Sequence, residues 1–101
     1  MTKKYSIRYL TTAEQDLEDI FDYICKDNSS AALTFLEKID TLILKLAENP
    51  HLGVIPKDRR LKDLGYRMLI INNYIVFYVV KTRTVQIRRI IHGARQYTFL
   101  L

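Results

Sequence analysis

A chain of 101 residues with 49% hydrophobic content is long enough for one small domain, so we expect residues 1–101 to form a single unit. The start of the chain is polar rather than an apolar signal segment, and no apolar stretch approaches the roughly 20 residues that cross a bilayer. The single cysteine, Cys25, excludes an intrachain disulfide, so we expect a cytoplasmic protein without membrane contact.

The charge is divided unevenly along the chain. Residues 1–50 hold six Lys and Arg against nine Asp and Glu, a balance of −3, whereas residues 51–101 hold ten against two, a balance of +8. If the halves form different faces, the basic face would attract phosphate or a carboxylate-rich partner. The alternative is that these cations only keep a small protein soluble.

The first part of the chain predicts a strand followed by a helix. Residues Lys4–Leu10 alternate between apolar and polar side chains, which is typical of a half-buried strand. Thr11 and Thr12 each have a Glu or Gln three residues on, so we expect a capping box to begin the helix. Apolar residues at helical spacing carry this helix from about Ala13 to about Lys26.

A second helix is expected after the polar break at residues 27–30, which would also cap it. It should stop at Asn49, because the residue before Pro50 is disfavoured in helical geometry. The short break favours an antiparallel helical hairpin. Residues 50–65 then form a long irregular segment with both prolines, and a loop of this length in a small domain is usually functional or disordered.

The last third of the chain predicts three strands. Two apolar runs flank Asn72-Asn73, and Asn tolerates the positive φ of a tight hairpin turn. The run Tyr74–Val80 is apolar without alternation, which favours a central strand covered on both faces, with Phe77 and Tyr78 as core or sheet aromatics. Strands Arg67–Ile71 and Val85–Ile91 would flank it, and the last strand could offer a free edge. The predicted fold class is α+β, a mainly antiparallel four-stranded sheet with an N-terminal helical hairpin on one face, in the order β-α-α-β-β-β.

The residues that could carry chemistry are basic and aromatic. Because the sequence has no glycine-rich phosphate loop, no Ser nucleophile motif and no zinc-ligand spacing, we expect no cofactor and no metal. A basic and aromatic set could cleave RNA without a metal: His92 or Tyr97 would exchange protons, and Arg67 and Arg95 would hold the phosphate. The further cations are Lys57, Arg59, Arg60, Lys62, Arg88 and Arg89.

Each of these candidates has a structural alternative. Arg67 could pair with a carboxylate on the first helix, and His92 could be a hydrogen-bonding group at a strand end. Tyr97 could pack its ring on the sheet with its hydroxyl in water. The cations of Lys57–Lys62 could belong to a solvated loop.

The order of these elements, with the segments YRMLI, NNYIVFYVV and IRRIIHGARQY, resembles the RelE/ParE superfamily of toxins from bacterial type II toxin–antitoxin modules. The resemblance covers the chain from Lys4 to Tyr97. It implies a toxin that inhibits growth, a link to plasmid stabilisation, and neutralisation by a cognate antitoxin in a toxin–antitoxin hetero-oligomer. RelE-like members cut mRNA on the ribosome, whereas ParE-like members inhibit DNA gyrase and are not nucleases.

The same residues indicate which branch of the superfamily, RelE-like or ParE-like, the chain resembles more. The RelE pattern is matched by Arg67 and approximately by Arg95 and Tyr97, but Gly93-Ala94 separates His92 from Arg95. The form HGAR looks more like the ParE branch, in which the catalytic set is normally incomplete. We therefore expect a ParE-like gyrase inhibitor ahead of a RelE-like mRNA interferase, with a non-toxic nucleic-acid-binding module as a third reading. The cations expected to bind nucleic acid or an acidic antitoxin segment are Lys57, Arg59, Arg60, Lys62, Arg88 and Arg89.

Overall fold

Two long helices and four strands follow the predicted order in the computed structural model, which describes residues 4–93. The sheet order is β1-β4-β3-β2, with β1 parallel to β4 and the other pairs antiparallel. This confirms the α+β class, with a short helix as an addition. Within the described residues, no helix is long and apolar enough to cross a membrane. The elements are β1 (Ser6–Tyr9), α1 (Thr11–Asp27), α2 (Ser29–Lys45), α3 (Arg59–Asp63), β2 (Tyr66–Ile71), β3 (Tyr74–Lys81) and β4 (Thr84–His92).

Strand β4 lies inside the sheet, so the prediction that the last strand offers a free edge is wrong. It is paired with β3 on one side and with β1 on the other, where Ile7 lies opposite Val85 and Tyr9 opposite Ile87. The parallel pairing is possible because the helices and the hairpin supply the long connection that parallel strands require. The edge strands are β1 and β2.

The sheet is covered on both faces, as the uninterrupted apolar run of β3 predicts. Helix α2 buries Ala32, Phe35, Ile39 and Ile43 against one face, and α1 buries Ala13. On the other face, Leu61 of α3 packs in a second cluster. The strand residues of the helix-side cluster are Ile71, Val76, Tyr78, Val85, Ile87 and Ile90, and those of the second cluster are Tyr66, Phe77, Val79 and Ile91.

The start of α1 differs from the predicted capping box. Leu10 is the N-cap, and within the described residues no side chain caps this end. The hydroxyl of Thr12 instead donates to the backbone carbonyl of Arg88, 3.0 Å away in β4. The capping prediction is wrong because the Thr12 hydroxyl binds a carbonyl on a distant strand, whereas the local pattern predicted that it would bind the N–H groups at the start of the helix.

The second helix begins as predicted and ends earlier. Asn28 caps it, since its side-chain oxygen accepts a hydrogen bond from the N–H of Ala31 at 3.1 Å. Helix α2 ends at Lys45 rather than at Asn49, and residues 46–48 form turns. The proline prevents a helix from continuing through residue 49, but it does not require one to reach that point.

Beyond the end of β1, side chains of α1 bind the backbone groups along the edge of β4. The carboxylate of Asp16 accepts hydrogen bonds from the Ile90 N–H at 2.9 Å and from the Arg89 guanidinium at 2.7 and 3.0 Å. This hydrogen-bonded carboxylate raises the pKa of Arg89. The predicted alternative of an ion pair between Arg67 and the first helix is wrong, because the arginine that pairs with this helix is Arg89.

We expect Asp16→Ala to lower the free energy of unfolding by about 2–4 kcal/mol, since it removes the acceptor of a largely buried ion pair and of a strand N–H. Urea denaturation measures this change. The matched control is Asp22→Ala on the exposed part of the same helix, which should shift stability by less than about 0.5 kcal/mol. Equal small effects of the two substitutions would show that the contacts of Asp16 with Arg89 and Ile90 do not stabilise the fold.

Candidate functional site

The loop that follows α2 is held on the sheet by the hydroxyl of Tyr78. This buried hydroxyl in β3 accepts a hydrogen bond from the Gly53 N–H and donates one to the Pro50 carbonyl, both at 2.8 Å. Burial raises the pKa of Tyr78, while the Gly53 N–H and the charge of Arg67 act in the opposite direction. The phenol therefore stays protonated and keeps its donor. A Cβ at position 53 would lie 2.7 Å from the Tyr78 hydroxyl and from the Met68 carbonyl, so this close approach requires glycine.

Arg67, the arginine singled out at the start of the hairpin, binds the same loop. Its Nη1 donates to the Gly53 carbonyl at 2.9 Å and more weakly to the His51 carbonyl at 3.4 Å. Val54 then forms an isolated antiparallel bridge with Met68, through hydrogen bonds of 2.9 and 2.8 Å. The guanidinium of Arg67 thus lies against the carbonyls of the loop that the Tyr78 hydroxyl also holds.

The basic segment that the sequence predicts as irregular contains a short helix. Asp58 caps α3, accepting from the N–H groups of Arg60 at 2.9 Å and Leu61 at 3.4 Å. Desolvation raises the pKa of Asp58. The two N–H groups and the Arg60 guanidinium outweigh this effect and hold the pKa of Asp58 below its ordinary value. An aspartate ahead of RRLKDL is the sequence feature that could have indicated this helix. The exposed cations on and next to α3 are Lys57, Arg59, Arg60 and Lys62.

The two remaining arginines of the predicted binding set lie half-buried in β4. Arg89 is the partner of Asp16. The guanidinium of Arg88 donates to the Gln86 side chain at 3.0 Å and lies 5.8 Å from the centre of the Tyr66 ring. Its Nε atom is buried and has no hydrogen-bond acceptor among residues 4–93. Arg88 and Arg89 are therefore separate in environment from the exposed cations of α3.

His92 lies at the other end of the sheet from Arg67. Its ring meets that of Tyr74 edge-on at 5.4 Å, and it lines an open cleft of about 380 Å³ beside the hairpin turn. Through the register, His92 lies opposite Tyr74, and Tyr74 lies opposite Ile71. Arg67 is four residues and two strands away, which places the two Cα atoms roughly 16 Å apart at ordinary strand spacings. The structure does not bring these two residues together, and Arg95 and Tyr97 lie outside the described residues.

A second concave surface, partly lined by acidic residues, was not predicted. It is a groove of about 470 Å³ formed by β1, α1 and α2. The hydroxyl of Tyr9 donates to Asp40 at 3.4 Å there, and burial together with this carboxylate raises the pKa of Tyr9. The groove combines apolar and acidic side chains: Tyr9, Leu17, Phe21 and Leu36 with Glu14, Glu18 and Asp40.

We expect Tyr78→Phe to lower the free energy of unfolding by about 2–4 kcal/mol, because the Gly53 N–H and the Pro50 carbonyl would be left without their partner in a buried site. Tyr74→Phe in the same strand is the matched control and should change stability by less than about 0.5 kcal/mol. Urea denaturation of both variants measures the difference. A Tyr78→Phe protein as stable as the control would mean that the loop is held by other contacts.

Two solved structures are similar to this chain over most of its length. A chain of the chromosomal ParDE toxin–antitoxin system from P. aeruginosa is 23% identical, with a TM-score of 0.73 over 89% of this chain and 97% of that one. A chain of the RelBE2 toxin–antitoxin complex from Mycobacterium tuberculosis is 25% identical, with a TM-score of 0.61 over 94% of this chain and 98% of that one. No curated protein matches the sequence closely enough to be counted as a relative.

The family model that matches is described as the ParE toxin of the type II toxin–antitoxin system, parDE. It covers residues 7–97, from β1 to the last of the candidate site residues, and it confirms the resemblance to the RelE/ParE superfamily. The chain therefore belongs to the ParE toxin family of type II toxin–antitoxin systems.

Proposed function

We propose that this toxin arrests bacterial growth in the cytoplasm by inhibiting DNA gyrase, and that a cognate antitoxin neutralises it in a hetero-oligomer. The family match supports the ParE branch. The observation that carries the choice of a gyrase inhibitor over an RNA-cleaving enzyme is the position of Arg67, whose guanidinium contacts the carbonyls of Gly53 and His51.

Metal-independent RNA cleavage needs cations that are already aimed at the phosphate in the transition state. To reach a phosphate, Arg67 would have to leave the Gly53 carbonyl, and that carbonyl would lose a charged donor in a partly buried site. His92, the other described member of the predicted catalytic set, lies at the opposite end of the sheet. Both placements favour a toxin that acts by binding a protein rather than by cleaving RNA.

An antitoxin partner is supported by the two similar solved structures, which belong to a ParDE system and a RelBE2 complex. The groove between β1, α1 and α2 is open and contains the apolar side chains of Leu17, Phe21 and Leu36. A groove of this kind suits the apolar side of an antitoxin segment that lies along the helical hairpin.

The competing function is a RelE-like mRNA interferase, and the likeness to a chain of the RelBE2 complex favours it. In that case the toxin would be an endoribonuclease acting on mRNA at the ribosome. Its proton-transfer group would be His92 or Tyr97, and Arg95 would assist Arg67 at the phosphate.

We expect the purified toxin to inhibit supercoiling of relaxed plasmid by DNA gyrase and to leave the mRNA on programmed ribosomes intact. Tyr97→Phe should keep the inhibition, because gyrase binding requires no proton transfer from this hydroxyl. In an interferase the same substitution would slow cleavage by about 10²–10⁴-fold. Cleaved mRNA together with normal supercoiling would contradict the proposed function.

We expect Arg67→Ala to lower the free energy of unfolding by about 1–3 kcal/mol, because two loop carbonyls lose a charged donor. It should also make the segment around residues 50–54 more sensitive to limited proteolysis. Arg59→Ala, which truncates an exposed arginine on α3, is the control and should leave both properties unchanged. An Arg67→Ala protein with full stability and no toxicity would instead support a catalytic arginine.

A further inference from the structure

Residues 52–64, which we call the loop–α3 segment, carry both exposed apolar and exposed cationic side chains. In the part of the chain that the structure describes, eight large hydrophobic residues are strongly exposed, and four of them lie in this segment. The same residues contain four cations and two acids, a net charge of +2. The apolar residues are Leu52, Val54, Ile55 and Leu64, and the cations are Lys57, Arg59, Arg60 and Lys62.

This segment is fixed at three points. Its start is held by the Tyr78 hydroxyl through the Gly53 N–H. Val54 pairs with Met68 on the outer edge of β2, and Leu61 is fully buried beneath α3. The exposed side chains are therefore presented on a pre-organised backbone, which reduces the entropy that binding would cost.

We propose that the loop–α3 segment is the surface through which the toxin docks on its protein target, at an apolar patch bordered by carboxylates. The inference rests on the proposed function, under which this target is DNA gyrase. Exposed apolar residues surrounded by like charges are the pattern of an interface whose apolar centre gives affinity and whose rim charges steer association.

The aliphatic character of the patch favours a protein over a nucleic acid. Single-stranded nucleic acids bind to exposed aromatic rings on which the bases stack. The strongly exposed apolar side chains of the loop–α3 segment are leucine, valine and isoleucine. These side chains offer no ring for stacking but fill apolar pockets well.

The charge of the groove between β1, α1 and α2 explains why an acidic partner would select the loop–α3 segment instead. The groove between β1, α1 and α2 includes the carboxylates of Glu14, Glu18 and Asp40. A carboxylate-rich surface would be repelled there and attracted to α3, so the two surfaces suit partners of different charge.

The test measures binding of purified toxin to immobilised DNA gyrase holoenzyme, with association and dissociation rates recorded across a range of salt concentrations. Reversing both charges in Arg59→Glu with Arg60→Glu should lower the association rate at low salt by about tenfold or more. Val54→Asp should raise the dissociation rate by about tenfold or more, since the apolar centre controls the lifetime of the complex.

Two controls lie on the helical hairpin. Lys26→Glu with Lys45→Glu makes the same change in net charge at the ends of α1 and α2. Leu33→Asp introduces an acid at an apolar residue of matched exposure, 54% against 55% for Val54. Both controls should bind gyrase like the unaltered toxin, and thermal unfolding should show that all variants remain folded.

The outcomes separate this inference from the proposed function. If the unaltered toxin does not bind gyrase, the proposed function fails and the inference fails with it. If it binds and the loop–α3 variants bind as well as the controls, the inference is overturned while the proposed function stands. Binding of a single-stranded RNA oligonucleotide that depends on Arg59 and Arg60 but not on Val54 would overturn it in favour of a nucleic-acid surface.

Discussion

Strand β4 extends beyond its neighbour β1, and the position of the first helix follows from that difference in length. The parallel pairing ends where Tyr9 lies opposite Ile87, whereas β4 continues to the end of the described sheet. Backbone groups in an interior strand need partners when β pairing stops. Thr12 and Asp16 supply them, so α1 is bound to the sheet through polar contacts in its first turns. These contacts hold one side of α1 on β4. Part of the apolar side of α1 stays half-exposed and lines the groove together with α2.

A second constraint comes from the hydroxyl of Tyr78 in the middle of β3. The ring belongs to the core, but a buried hydroxyl requires hydrogen-bond partners, and the sheet backbone offers none to spare. The loop after α2 provides a donor at Gly53 and an acceptor at Pro50. An irregular segment is thereby converted into a fixed one, and the exposed residues that follow it are held along the edge of β2.

The periodic patterns predicted which residues form helices and strands, but not which distant groups they meet. Alternation in the first strand identified a half-buried strand but did not show which strand pairs with it. The interior position of β4 therefore could not be inferred. The capping pattern at Thr12 failed because the competing carbonyl is 76 residues away. Helix α3 was missed since five residues give little periodicity. Tyr78 was correctly expected in the core, but the partners of its hydroxyl are 25 and 28 residues away.

The cations show the same limit most clearly, because residue type and order do not determine what a guanidinium contacts. The apolar residues of β4 change phase between Ile87 and Ile90, where an irregularity in the register accommodates Arg88 and Arg89. The two adjacent arginines have different environments: one lies near the ring of Tyr66, and the other reaches the carboxylate of α1. Because the sheet holds both of them, the six cations that looked like one binding set in the sequence divide into two groups. The group that remains exposed lies on and next to α3.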